Sequence, residues 1–265
     1  MADYKAIKGH HIETVAGDPS VLQVGDIWYN STLGKIRGAK LGAGTWATGG
    51  DMTRGSTSGR QEARGAGPST AAIAAGGYYP LGYSLTETYD GSSWTEVGDL
   101  GTNRWNIAMA GTQTATLAAA GQRAGPQAPP NMTSDVEEYN GTSWTEVTNL
   151  DTDRGSGAGC GTQTAALFIG GNFGTNHPSL PNYTDSRLVE QYDGTNWTEI
   201  ADINAGRNNQ AAFQKGTTTA AMIAAGYSTA LVAITETFDG SSWTEVGDAN
   251  TARNYPGGFG TAASD

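Results

Sequence analysis

The chain has 265 residues, and 39 of them are glycine, roughly twice the usual share. Charged residues make up only 15 %, and 26 acidic against 15 basic side chains leave a formal net charge of -11, which argues against a phosphate-backbone binder. Seven Trp and 11 Tyr supply enough aromatic area for a folded core and argue against disorder, and the glycines lack the every-third-residue period of collagen.

In chain order, the opening residues 1–24 contain no apolar h-region, so no secretory signal is expected and the segment reads as an N-terminal arm. Asp26 to Asn30 reads as a strand, followed by a second at either Lys35 to Lys40 or Thr45 to Thr48. No run approaches the ~20 apolar residues of a membrane span. From Tyr89 onward the chain repeats itself. Tyr89 to Val97, Tyr139 to Val147, Tyr192 to Ile200 and Phe238 to Val246 are near copies, with tryptophans Trp94, Trp144, Trp197 and Trp243 spaced by 50, 53 and 46 residues. Ten residues after each stands an arginine: Arg104, Arg154, Arg207 and Arg253. A weaker first copy runs through Trp46, Arg60 and Gly67.

Each unit predicts four short strands, here called a to d. Strand a lies between the arginine and the following glycine, and b is the Ala-rich run ending in Gly. Strand c surrounds Glu-x-Tyr, and d is Trp-Thr-Glu-Val. Asp90-Gly91, Asn140-Gly141, Asp193-Gly194 and Asp239-Gly240 join c to d, as tight hairpins require. Four strands at a period near 50 predict a β-propeller. The fold expected is all-β, a five-bladed β-propeller with four-stranded blades. Its blades fall in 51–97, 98–147, 148–200 and 201–246. The fifth is closed by pairing N-terminal strands within 25–50 with C-terminal strands within 247–265, because an unclosed ring would leave raw sheet edges. Four blades plus a separate N-terminal module of about 50 residues is the alternative.

The order of apolar run, Gly170-Gly171, Tyr192 and Trp197 resembles a kelch repeat. Gly161 to Leu167 and Tyr139 to Val147 resemble repeats in virion proteins of marine tailed phages, and Gly25 to Lys35 resembles a module of phage tail and fibre proteins. This resemblance implies a structural or adhesive component of a virion, in a tail fibre or similar appendage. Implied partners are other virion proteins and a host-surface glycan or receptor, without nucleic acid or membrane insertion. Homo-oligomerisation is left open, and the location implied is the virion, assembled in the host cytoplasm. A purely structural capsid or tail decoration protein is the second reading, and a glycan hydrolase the third.

Candidate chemistry is sparse. Asp-Gly-x-x-Trp is similar to the sialidase Asp-box but one residue short, and the repeating arginines lack the asymmetry of an active site. The histidines His10, His11 and His177 have no zinc-type spacing with Cys, and Cys160 sits in a small-residue run as a buried apolar side chain. No catalytic residue, cofactor or metal site is expected. Arg60, Arg104, Arg154, Arg207 and Arg253 are expected to ring one face, as is the aromatic repeat Trp46, Trp94, Trp144, Trp197 and Trp243 to fill the blades. The arginines either bridge neighbouring blades through carboxylates such as Asp99, Asp202 or Asp248, or through backbone carbonyls, or form an anion-attracting mouth. The b–c loops vary in length and content on a constant scaffold, the usual place for recognition. They carry the candidate ligand-binding residues Tyr78, Tyr79, Tyr83, Arg123, Asn172, Phe173, His177, Tyr183 and Tyr227.

Overall fold

The structure is a computed structural model that describes residues 13–16, 27–32, 34–38, 49–52, 60–78, 82–123, 131–174, 184–213 and 216–258. The chain divides into two compact units, Met1–Thr48 and Gly49–Asp265. In the first, Glu13–Val15 pairs in parallel with Ile27–Asn30, which pairs antiparallel with Lys35–Gly38. Glu13–Val15, within the 1–24 arm of the sequence reading, thus shares a sheet with the strand expected at 26–30. Trp46 lies outside the described residues, as do residues 259–265.

The second unit is all-β, with no helix among the described residues. It holds four four-stranded antiparallel sheets in series, each with its strands in the order a-b-c-d. Sheet 1 comprises Arg64–Ala66, Ala72–Ala75, Thr86–Tyr89 and Trp94–Glu96. Sheet 2 comprises Ala108–Thr112, Ala115–Ala119, Val136–Tyr139 and Trp144–Glu146. Ala158–Thr162, Ala165–Ile169, Val189–Tyr192 and Trp197–Ile200 form sheet 3. Ala211–Ala212, Ala221–Ala224, Thr235–Phe238 and Trp243–Val246 form sheet 4. The arrangement is consistent with a β-propeller.

The sheets stack face to face, and strand periodicity assigns each side chain to one interface. In sheet 2, Ala118 packs towards sheet 1 with Ile73 and Ala75, while Leu117 and Ala119 pack towards sheet 3 with Phe168 and Ala166. In sheet 3, Leu167 and Ile169 face sheet 4 with Ile223 and Phe238. Burial on both faces explains why strand b reads as a continuous apolar run rather than an alternation. Cys160 is part of the same packing, fully buried between sheets 3 and 4.

Strands c and d meet through an aromatic pair. Tyr89, Tyr139, Tyr192 and Phe238 sit directly opposite Trp94, Trp144, Trp197 and Trp243 in register, with ring centroids 4.9 to 5.1 Å apart. Such cross-strand aromatic pairs are worth about 0.2–1 kcal/mol each over an Ala pair. The turn between them is an Asx turn. Asp90 Oδ1 accepts from the amides of Ser92 and Ser93, and Asn140, Asp193 and Asp239 repeat the pattern. Gly91, Gly141, Gly194 and Gly240 follow with φ of 94 to 96°, which is why the sequence repeats Gly there.

At the Arg-bearing end, the units are joined in turn by their backbones. The amides of Gly77, Gly121, Gly171 and Gly226, which close strand b, donate to the carbonyls of Arg104, Arg154, Arg207 and Arg253 in the next unit. Two residues beyond each arginine stands a non-glycine residue with positive φ: Glu62, Asn106, Ser156, Asn209 and Tyr255, all between 51 and 59°. These five form a relay. Asn106 N donates to Glu62 O, Ser156 N to Asn106 O, Asn209 N to Ser156 O and Tyr255 N to Asn209 O, at 2.7 to 3.3 Å.

Candidate functional site

Two layers lie at this end, an arginine layer within the sheets and a surface of loops and relay residues above it. Arg104, Arg154 and Arg207 are fully buried. Each meets a glutamate on strand c of its own sheet: Arg104 Nη2 to Glu137 at 2.6 Å, Arg154 Nη2 to Glu190 at 2.5 Å, and Arg207 Nη1 to Glu236 at 2.7 Å. Arg104 Nη1 also donates to the carbonyls of Ala120 and Asp135, and Arg154 Nη1 to those of Gly170 and Leu188. The second carboxylate oxygen of each glutamate accepts a backbone amide of the linker that brings the chain in, from Gly101, Asp151 or Asn204. Burial lowers the pKa of these arginines, and the facing glutamates act against that shift.

The carboxylates expected from the sequence are therefore corrected. Asp99, Asp202 and Asp248 are not the hydrogen-bonded partners of the ring. Asp99 instead accepts from the Thr86 amide at 3.0 Å. The side chains of Arg104, Arg154 and Arg207 have no surface to offer an anion in solution. Arg60 is similarly placed, donating to Leu85 O at 3.0 Å with Glu87 at 3.9 Å. Arg253 differs. It keeps the backbone link from Gly226, but its side chain is exposed and donates only to Thr251 O among the described residues.

The candidate ligand-binding residues divide by burial. Arg123 and Tyr227 are exposed, with Arg123 beside Asp135 at 3.2 Å. Tyr78 and Tyr83 are half-buried, and the Tyr78 ring packs on Trp105 of the next unit at 4.9 Å. Asn172 and Phe173 correct the expectation of exposure: both are buried, paired with Arg154–Gly155 as a short ladder at the loop's base. Tyr79, His177 and Tyr183 lie outside the described residues. Trp197 and Trp243 are buried, whereas Trp94 and Trp144 are half-buried at the outer strand.

The b–c loops start from one pattern. Tyr78 pairs with Gln61, Gln122 with Trp105, and Tyr227 with Asn208 in backbone bridges, and Asn172 pairs with Gly155 at the same point of its unit. Unequal loops thus rise from equal bases. One hollow of about 280 Å³ lies among Thr102, Arg123, Asp135, Trp144 and Glu146. A second cavity of about 280 Å³ lies where strands a of all units converge, lined by Ala63 to Gly65, Ile107 to Met109, Gly157, Gly159, Asn209 to Ala212 and Tyr255 to Gly258.

Sequence reasoning missed the polar groups of that second cavity. Arg64 Nη2 donates to Asn106 Oδ1 at 3.2 Å, Asn106 Nδ2 to Glu62 Oε2 at 3.1 Å, and Tyr255 OH to Glu62 Oε1 at 3.4 Å. The Arg64 guanidinium stands 5.6 Å over the Tyr255 ring. Burial, with Glu62 adding, raises the Tyr255 pKa from its ordinary value. The signal in the sequence is the change of residue type at a fixed offset from each repeat arginine, beside a c–d hairpin that is nearly constant. Among the described residues no group of three His, Cys, Asp or Glu is placed to hold a metal ion.

No family model and no curated protein matches the chain. Among solved structures, one described as "Structure of YjhT" is similar with a TM-score of 0.60, covering 74 % of this chain and 67 % of that one at 13 % identity. At that identity the likeness is one of fold alone.

Proposed function

We propose that the chain is a five-bladed, kelch-like β-propeller that serves as a non-catalytic recognition component of a tailed-phage virion, in a tail fibre or similar appendage. The observation that carries recognition is the loop face itself: b–c loops of unequal length and content rise from four equivalent backbone anchors. Exposed Arg123 and Tyr227 give that face polar and aromatic contacts for a host-surface glycan or protein. The non-catalytic reading is supported by the fate of the charged layer, in which the buried guanidiniums are tied to scaffold carboxylates. The one thiol, Cys160, is buried and pushed up to about 12, far from a reactive thiolate at neutral pH. The virion setting rests on the sequence resemblance.

Two observations support five blades. Arg253 repeats the backbone link made by Arg104, Arg154 and Arg207, Tyr255 repeats the positive φ of the four preceding units, and the Tyr255 hydroxyl reaches Glu62 of the first. In addition, a Cβ on Gly50 would lie 2.6 Å from Ser92 O in the c–d turn of sheet 1, as one on Gly98 would lie 2.5 Å from Thr142 O in sheet 2. Gly98 stands four residues after Trp94, and Gly50 four after Trp46. Gly50 thus stands against sheet 1 as Gly98 stands against sheet 2, while Thr45 to Thr48 lie outside the described residues. A second reading, a decoration protein packed against neighbouring virion subunits, is favoured by exposed Leu231 and Val246. A glycan array probed with the purified chain separates them. Recognition predicts binding to a subset of glycans that Arg123→Ala or a b–c loop variant alters, whereas no binding to any glycan contradicts it.

A further inference from the structure

The central cavity breaks the repeat in a way that packing does not explain. At the fourth position after each repeat arginine stand Arg64, Ala108, Ala158, Ala211 and Gly257. Four are small, as converging strands require; the first is a cation. Two positions after the arginine, the shared left-handed backbone carries five residues of four different types, Glu62, Asn106, Ser156, Asn209 and Tyr255. A scaffold role would repeat side chains as it repeats the Arg–Glu pairs.

Another part of the lining presents acceptors without donors among the described residues. Asn209 and Gln210 line the cavity at 8 % and 6 % exposure, and the Oδ1 of one and the Oε1 of the other have no hydrogen-bond partner among the described residues. Their orientation is fixed by their amide nitrogens. Gln210 Nε2 donates to Ile169 O at 2.8 Å, so its oxygen is the remaining atom. Asn209 Nδ2 donates to Asn208 Oδ1 at 2.6 Å, and Asn208 Nδ2 donates to Asp185 at 2.5 Å, so the relay from the carboxylate leaves Asn209 Oδ1 as an acceptor. A buried acceptor left unpaired costs about 1–3 kcal/mol, so these oxygens call for a donor. In the same lining, the five-donor guanidinium of Arg64 makes one side-chain hydrogen bond among the described residues, and Tyr255, 47 % exposed, offers a ring. Glu62 neutralises Arg64 locally, so no net charge is demanded of an occupant.

We propose that this cavity holds one sugar residue, whose hydroxyls donate to Asn209 Oδ1 and Gln210 Oε1, whose ring or hydroxyl oxygens accept from Arg64, and whose C–H face packs on Tyr255. Hydroxyl groups both donate and accept, which suits a site whose lining holds both unpaired acceptors and a cation. A volume of about 280 Å³ fits a single small polar ring rather than a longer chain. This assignment rests on the glycan-recognition reading and places the terminal sugar at the convergence of the inner strands rather than on the loops.

The test is saturation-transfer NMR and titration with a panel of neutral hexoses, N-acetylhexosamines and hexuronic acids. The wild-type chain should bind at least one. Arg64→Met should weaken that binding at least tenfold, and so should Tyr255→Asn, an exposed position whose replacement tolerates the same backbone. Tyr255→Phe, which keeps the ring, should stay within about threefold, and thermal melts check that each variant folds. Wild-type affinity in both folded Arg64→Met and folded Tyr255→Asn would overturn the site. Glycan-array binding that only loop variants abolish would also overturn it while leaving recognition standing. Silence on both the array and the monosaccharide panel would overturn site and recognition together.

Discussion

A guanidinium removed from water costs several kcal/mol unless carboxylate and carbonyl acceptors surround it. Arg154 has both: Glu190 at 2.5 Å and the carbonyls of Gly170 and Leu188. Replacing Glu190 by Ala leaves that charge buried and unpaired, so Glu190→Ala should lower unfolding stability by about 3–5 kcal/mol in denaturant titration. Asp202→Ala, at an exposed position, should stay within about 0.5 kcal/mol. Equal losses would refute the pairing. The arginine was legible because it recurs ten residues after each Trp. Its partner was not, because the glutamate lies 29 to 36 residues downstream and sequence proximity favours the aspartates. Likewise, nothing local marks Glu62 or Tyr255 for a left-handed backbone, a conformation uncommon for such residues; register against the other units alone reveals it.

Among the elements, the c–d hairpin is the one most completely written in the sequence. Asp-Gly or Asn-Gly names the turn, and the Tyr and Trp flanking it name the pair that staples the two strands. Its acid response follows from the Asx geometry. Amides and hydroxyls of Ser92 and Ser93 hold Asp90 at about 2, and those of Ser241 and Ser242 hold Asp239 at about 2, below the unfolded value of about 3.9. A depressed carboxylate stabilises fully above its unfolded pKa, and that contribution fades as pH falls towards 2. NMR titration should therefore show the Ser93 amide moving with a midpoint near 2, while Ser143, held by the non-titrating Asn140, follows no such curve. An Asp90 midpoint near 4 would contradict the turn. Strand b was legible for a different reason: eight apolar residues ending in Gly are too short for a stable helix and suit burial on both faces. The b–c loops were legible only as variable segments. That Asn172 and Phe173 turn inward depends on pairing with Arg154–Gly155, which lies in another part of the unit.

On the scale of the whole molecule, the repeated units share one scaffold and differ in their b–c loops and in the residues two and four places after each repeat arginine. Four sheets stack in series, and Arg253 and Tyr255 carry the same backbone links beyond the fourth, as the proposed fifth blade requires. The proposed closure requires the outer strand of that unit to come from the residues preceding Gly49. Without it, sheet faces built to be covered on both sides would meet water, and each large side chain uncovered would cost about 1.5–3 kcal/mol. Thermal unfolding of a chain lacking residues 1–48, compared with the intact chain, tests this most directly. The account predicts a melting temperature lower by on the order of 10 °C, together with faster amide exchange in sheets 1 and 4. An unchanged melting temperature and unchanged protection would contradict it and favour four blades carrying an independent N-terminal module.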